Sequence, residues 1–362
     1  MAYAKGLEGV VAGETSISHV EGDIGRLSYR GIDINELVKR DYTEVVALVL
    51  CGDSGEARMI GQALKKGALS QRERDCLSAI GACKHPMRML QAMVPLLDEP
   101  ADLESIESNE ISHGIGILAK LPTLIATYRQ QQLGNPDPAY DADADILANY
   151  LTMFTGKSPT AKALEVFRTV QILQLEHSYN AGTFTALVAA STLAPVDSVL
   201  SAAIGALFGR LHGGADEAAL NDAKAVGSPD QAAAFIDQLL ARKGKLMGMG
   251  HREYRLLDPR AAILKPLAEE LCRGTEHELT YQTLAALERE FNDRMLAKGK
   301  AVWANLEFYK GPVYEALGIP AHFFTATFAL SRAIGWLAHF VESRVDNRII
   351  RPRAEYIGPA VH

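Results

Sequence analysis

The chain reads as an all-α protein with a short β-hairpin-like N-terminal segment. Three observations lead there: apolar residues recur at three- and four-residue steps over most of the 362 residues, Gly and Pro punctuate those runs, and no strand–helix alternation of the kind that builds a parallel sheet is present. A chain of this length buries a large core and is expected to form two domains, or one large domain with an insertion.

The start, Gly6–Gly31, has the pattern of short strands, with Ser16–His19 and Leu27–Tyr29 flanking a turn-like EGDIG at 21–25. From Asp33 the pattern is helical. Asp33 with Glu36 three residues on resembles a capping box, and Gly52 stops the apolar run Val45–Leu50. The spacing predicts further helices at Ser78–Ala82, Gly114–Gln132, Asp143–Phe154, Ala161–Leu175, Thr183–Leu193 and Val196–Phe208. Beyond these come Asp230–Arg242, Pro259–Arg273, Tyr281–Ala297, Val313–Leu317 and Phe324–Glu342. The small-residue run Ser201–Ala206 favours close helix packing. Asn135–Pro138 and Val226–Pro229 are loops, and Pro352 makes the stretch around Arg351 and Arg353 an extended arm.

With 44 acidic against 37 basic residues, the net charge of −7 argues against general nucleic-acid or anionic-membrane binding, so any positive site is local. The four cysteines, at 51, 76, 83 and 272, form no CxxC pair and read as reduced thiols packed as small apolar groups. No basic-then-apolar leader opens the sequence, and the apolar run Thr325–Phe340 carries Arg332 and His339 and is short of a membrane span. A cytoplasmic protein without membrane or nucleic-acid partners is expected.

The segment Gly248–Arg260, GMGHREYRLLDPR, places His251 after a Gly-Met-Gly turn, with Arg252, Arg255 and Arg260 behind it. Imidazole beside guanidinium suits an anionic substrate whose carbonyl must be polarised, since neutral histidine donates to a carbonyl oxygen and arginine pairs with carboxylates. Taken alone, the cluster is ordinarily a solvated basic loop. Other segments match its character. His177 sits in LEHSYNAGTF near Asn180, and His212 in GRLHGGADE, where Gly213 and Gly214 let the backbone approach a ligand. Glu307 lies in NLEFYKG, Arg332 interrupts an apolar helix face, and Arg351 and Arg353 lie in the C-terminal arm. Each has an ordinary reading as well: a satisfied structural histidine, a helix-stop turn, a surface carboxylate, a buried salt bridge, a solvated tail. Competing sites find little support. There is no complete dinucleotide fingerprint, GxxxxGK[ST] loop, HExxH helix or GxSxG elbow, and none of the ten histidines shows ligand spacing on one helix face, so no metal is expected.

Taken in order, these segments resemble the citrate synthase family, from GLEGVVAGETSISHVEGDIGRLSYRG through HPM at His85–Met87 and FTGKSPT at Phe154–Thr160 to DNRIIRPRAEYIG. The resemblance implies a two-domain helical fold, with residues 1–216 and 322–362 forming a large dimer-forming domain and 217–321 a smaller one that closes over the site. It implies an acyltransferase of the tricarboxylic acid cycle that condenses acetyl-CoA with oxaloacetate and hydrolyses the thioester, with acyl-CoA as substrate and no other cofactor. By resemblance His212 donates to the thioester oxygen, Glu307 is the base that takes the methyl proton, and His251 polarises the oxaloacetate ketone. His177, Arg260, Arg332 and Arg351 bind the oxoacid, the last from the neighbouring subunit, which makes a homodimer the expected state. Leu246, Met247, Gly248, Met249 and Gly250 resemble the family's CoA-adenine contact. The chain opens almost at the family's first common segment, so no additional N-terminal regulatory domain is expected.

Several positions depart from the family pattern. Glu307 stands for the usual aspartate of NVDFYSG, and Lys310 for its serine, where an exposed lysine is the ordinary expectation and pairing with Glu307 or CoA phosphates the alternatives. Gly182 replaces a serine, with Thr183 or water as substitute, while Leu187 and Arg210 replace an arginine and a proline. The alternatives are a 2-methylcitrate synthase using propionyl-CoA, a more remote citryl-CoA lyase, and, in another class, a catalytically impaired paralogue that binds oxoacid or CoA.

Overall fold

The computed structural model describes residues 4–81, 83–98, 109–209 and 213–359. A small antiparallel sheet comes first: β1 (Ser18–Glu21), β2 (Arg26–Tyr29) and β3 (Ile32–Asp33), in that order, with Ser18 opposite Tyr29 and Tyr29 opposite Ile32. The hairpin is where the sequence predicts it, although its first strand begins two residues late and β3 is additional.

Helices make up the rest of the ordered framework. They begin with α1 (Ile34–Leu37), α2 (Tyr42–Cys51), α3 (Ala57–Leu64), α4 (Gln71–Ile80), α5 (Pro86–Met93) and the long α6 (Asn109–Gln132). Then follow α7 (Ile146–Thr155), α8 (Ala161–Gln174), α9 (Ala181–Ala190), α10 (Val196–Leu207) and α11 (Ala215–Val226). The last are α12 (Ala232–Ala241), α13 (Pro259–Cys272), α14 (Glu278–Leu296), α15 (Leu306–Ala316) and α16 (Phe324–Val345). Among the described residues no helix is long and apolar enough to cross a membrane.

The core is organised on α16. Every residue from Ala326 to Phe340 is buried, so this helix has no solvent face and packs against α2, α6, α8, α9 and α10. It carries Arg332 and His339 inward with it. A second group of helices, α11 with α14 and α15, α12 with α14, and α13 with α15, packs beside it, and α13 also reaches α8. Residues 346–359 have no regular structure, in keeping with the arm expected around Pro352.

Local chemistry accounts for the elements the sequence pattern misplaced. Asp33 caps α1 through Asn35 N–H (2.9 Å), but Glu36 pairs with Lys39 (2.8 Å), so the expected capping box does not form. The box is instead at Ser70 and Glu73, where Glu73 N–H donates to Ser70 Oγ (3.2 Å) and Ser70 N–H to the Glu73 carboxylate (2.7 Å). It starts α4 well ahead of the predicted Ser78–Ala82, of which Ala82 lies outside the described residues. Asn305 likewise caps α15 by accepting from Glu307 N–H (3.0 Å), and the helix runs through Pro312 rather than starting after it. The cysteines are not uniformly interior: Cys272 is buried, Cys76 and Cys83 are half-buried, and Cys51 at the end of α2 is exposed.

The small sheet acts as a brace for later segments. Ser18 Oγ donates to Glu176 (3.0 Å) and accepts from Ser178 N–H (3.0 Å), while Tyr29 OH donates to Glu176 O (3.1 Å), so the hairpin grips the chain on both sides of His177. At the turn, Gly22 O accepts from Arg255 N–H (3.1 Å), and a Cβ on Gly22 would fall 1.9 Å from Glu253 O. Because the obstacle is backbone, Gly22→Ala must displace the loop after His251. A shift near ~1 Å predicts a loss of about a hundredfold in the condensing activity expected of the site. Steady-state rates and a melting curve for this variant check it: a folded protein with unchanged activity would show that the hairpin does not set the loop.

Candidate active site

The loop after α12 carries Leu246–Gly250 beside residues 303–305. Gly250 N–H donates to Trp303 O (2.7 Å), Asn305 N–H to Gly248 O (2.9 Å), and Asn305 Nδ2 to Gly250 O (2.9 Å). Gly248 has φ +79°, and a Cβ there would meet Phe308 Cδ2 at 2.9 Å and Phe308 Cα at 3.0 Å, so both its conformation and its neighbour require glycine. This short bridge fixes His251, which follows Gly250, relative to Glu307, which follows Asn305.

His251 is held in one orientation. Its Nδ1 accepts from Glu253 N–H (3.0 Å) and Tyr254 N–H (3.3 Å). Burial, followed by the Arg260 guanidinium, pushes its pKa down to about 4 against an opposing pull from Asp258 and Glu307. A neutral ring whose Nδ1 is an acceptor carries its proton on Nε2, as assigned from these hydrogen bonds. Nε2 lies 3.4 Å from Arg260 Nη2, and both atoms are then donors. They do not satisfy one another; they converge on a common position suited to an acceptor oxygen.

Arg260 is 5% exposed and held by Asp258, which accepts from its Nε (3.0 Å), its Nη2 (2.8 Å) and its backbone N–H (3.0 Å). Burial alone would raise the Asp258 carboxyl, but Arg260 outweighs it and holds the group below its usual range. His177 packs edge-on to His251, with centroids 5.1 Å apart, and its Nε2 meets Tyr254 OH at 3.1 Å. Burial and then Arg260 hold it well below the ordinary histidine range. Burial also lifts Tyr254, keeping it a neutral phenol.

Arg332, on α16, is 2% exposed. Its Nε donates to Gln174 O (2.7 Å) and its guanidinium lies 4.7 Å from the Phe328 ring centroid. Among the described residues no carboxylate forms an ion pair with it, so the structural salt bridge open as its ordinary reading is absent there. Burial lowers its pKa, with partial relief from Glu176. Glu307, in the first turn of α15, is mostly buried and ion-paired to Lys310. Lys310 corrects the expectation of exposure: its side chain is 0% exposed and also reaches Asp216 (3.1 Å).

The structure therefore brings together His177, His251, Arg260, Arg332 and Glu307, with Leu246–Gly250 alongside. Arg351 is not among them; it is exposed on the C-terminal arm, with Nη1 donating to Pro352 O (2.7 Å). His212 and Arg210 lie outside the described residues. At Gly182 an added Cβ would stand 3.0 Å from the Trp336 indole, and neighbouring Thr183 Oγ1 accepts from Asn180 Nδ2 (2.9 Å). Leu187 is buried in α9. Sequence reasoning missed Asp258, Tyr254, Asn305, Asp216 and Gln174. Asp258 and Asn305 carried a usable signal, because Asp before a proline and Asn before an apolar run both mark a helix N-cap.

A buried cationic pocket with neutral imidazoles, carried by the loops at 175–180 and 246–258 and by three helices, suits a carboxylated ligand with a polarisable carbonyl. The comparisons identify the lineage. A family model described as "Citrate synthase, C-terminal domain" matches residues 6–353. The citrate synthase of Acidithiobacillus ferridurans is 35% identical, with 98% of this chain and 95% of that protein covered. The 2-methylcitrate synthase of Shewanella oneidensis is 36% identical, with 98% and 94% covered. Among solved structures, citrate synthase from Thermoplasma acidophilum in ternary complex with carboxymethyl coenzyme A and oxaloacetate superposes with a TM-score of 0.90 at 29% identity, covering 100% of this chain and 97% of that one. This chain belongs to the citrate synthase family and is an enzyme of its acyltransferase class.

A depressed histidine pKa has a measurable consequence. Between the unfolded value near ~6.5 and the folded value of about 4, the unfolded chain binds a proton at His251 that the folded site refuses. The parent is therefore expected to lose stability relative to His251→Gln as pH falls through that window, with the histidine's contribution fully retained above it. Urea midpoints for both proteins at about pH 7.5 and about pH 4.5 check this, and a constant difference would mean that the folded ring is charged.

Proposed function

We propose that this enzyme is a citrate synthase in the specific sense: it condenses acetyl-CoA with oxaloacetate and hydrolyses citryl-CoA to citrate and CoA. The observation that carries the reading is the convergence of His251 Nε2 and Arg260 Nη2, 3.4 Å apart, beside Arg332 and Glu307. A dicarboxylate gives Arg260 and Arg332 an anionic partner, and a ketone oxygen gives Nε2–H an acceptor. His177 adds a further hydrogen-bonding group to the oxoacid.

In the reaction the Glu307 carboxylate removes a methyl proton from acetyl-CoA, while His212 donates to the thioester oxygen as the enol develops. The electron pair then forms the carbon–carbon bond to the oxaloacetate ketone; the His251 Nε2–H stabilises the developing alkoxide, and the proton Glu307 removed returns to that oxygen, so Glu307 and His251 end as they began. Water next attacks the thioester carbonyl, CoA leaves with a proton, and citrate is released. Leu246–Gly250 would hold the CoA adenine. Closure of a segment spanning 217–321 over the rest would exclude water, and Arg351 would complete the oxoacid site from a second copy in a homodimer. Acyl-CoA enters as a substrate, with no further cofactor, in a cytoplasmic setting.

Propionyl-CoA is the competing donor, because relatives named for each activity match at nearly equal identity. One methylene of pocket space separates the donors by roughly 1–3 kcal/mol, about 10- to 200-fold. Free-CoA release with oxaloacetate and each donor is the test. A kcat/KM for acetyl-CoA at least about tenfold higher is expected; the reverse ratio would make the chain a 2-methylcitrate synthase. No release with either donor, from protein that still binds oxaloacetate, would make it a binding paralogue.

A further inference from the structure

Lys310 lies one turn after Glu307 on α15 and has no part in the steps above. Its Nζ donates to Gln174 Oε1 (3.0 Å), contacts the carboxylates of Asp216 (3.1 Å) and Glu307, and sits 4.3 Å from the Phe328 ring centroid. These partners come from the start of α11, the end of α8, α15 itself and α16. Asp216 is as deeply buried, at 1%. Stripping an ammonium of water costs several kcal/mol unless charges and hydrogen bonds replace its hydration, so this lysine is stable here only because carboxylates surround it. Glu307 meets Lys310 through Oε2, a buried oxygen that has no hydrogen-bond partner among the described residues beyond that ion pair. The ammonium therefore holds the carboxylate at that oxygen.

We propose that Lys310 and Asp216 are positioning residues for Glu307: the buried ammonium pins one oxygen of a long, flexible side chain, and Asp216 competes for the same positive charge. The proposal rests on Glu307 being the base. The charged and titratable groups acting on this cluster are Asp216 from α11, His251 from its loop, Arg332 from α16 and Tyr314 from α15. Competition within it is visible at Asp216, whose carboxyl stands raised to about 6: burial pushes it up, Lys310 pulls it down and Glu307 adds to the rise.

Two carboxylates sharing one cation give opposite consequences for its two partners. Without Lys310, Glu307 and Asp216 face each other uncompensated, so ionising the base becomes harder. Without the Asp216 charge, Glu307 has the ammonium to itself, so ionising it becomes easier. A packing defect has no reason to produce that reversal of sign.

The test is the pH dependence of acyl-CoA kcat/KM, read by free-CoA release, in the parent, Lys310→Met, Lys310→Arg and Asp216→Asn. The acid limb is expected to move up by about one pH unit or more in Lys310→Met, to move down in Asp216→Asn, and to return towards the parent in Lys310→Arg. Limbs that stay put, or that move the same way in the Met and Asn variants, overturn the proposal. If Lys310→Met does not fold, the direction of the Asp216→Asn shift decides alone. Glu307→Gln separates the two levels: turnover that survives it removes the base and this proposal together, whereas an inert Gln variant with unmoved limbs elsewhere overturns the positioning role only.

Discussion

The candidate site depends on one buried carboxylate. Asp258 receives both the Nε and Nη2 of Arg260, caps α13 through Arg260 N–H, and accepts from Leu306 N–H (3.3 Å) at the start of α15. One side chain therefore fixes the guanidinium and ties the helix that bears it to the helix that bears Glu307. Removing one partner of such a buried pair costs about 3–5 kcal/mol, since the other is left charged and unsatisfied. The short bridge between 248–250 and 303–305 reinforces the same junction, and the N-terminal hairpin braces it from outside through Gly22 and Ser18.

That rigidity sets the electrostatics. Arg260 is locked in place and Arg332 lacks a carboxylate ion-pair partner among the described residues, so positive potential bears on His177 from both guanidiniums and on His251 from Arg260. Burial and this potential act in the same direction and keep both rings neutral. A neutral ring is the useful form, because Nδ1 can then accept backbone N–H groups while Nε2 remains a directed donor. The pocket thus combines fixed cations for carboxylates with an uncharged donor for a carbonyl. Glu307 stands at its edge, paired with a cation of its own, Lys310.

Much of this was legible in the sequence, for identifiable reasons. Helices with an apolar stripe, such as α8, α10 and α16, are found by periodicity because burial on one or all sides imposes it. Alanine-rich α11 has little stripe to read, and Gly311-Pro312 within α15 looks like a helix boundary although the helix passes through it. Motif order placed His177, His251, Arg260 and Arg332 in one site, which the fold brings together. Lys310 was misread because a lysine is ordinarily solvated, and its partners Asp216 and Gln174 are distant in sequence. Only the packing of α8 and α11 against α15 makes its burial tolerable. Asp258 was overlooked for a simpler reason: its cap signal suggests a helix start, and nothing local says that the same carboxylate also holds an arginine.

The most direct measurement of this account is a structure of the protein with oxaloacetate bound. The ketone oxygen is expected at hydrogen-bond distance from His251 Nε2, with the carboxylates on Arg260 and Arg332 and the Asp258–Arg260 pairing unchanged. An oxoacid bound away from His251, or an Arg260 that must leave Asp258 to reach it, would contradict the arrangement on which the mechanism depends.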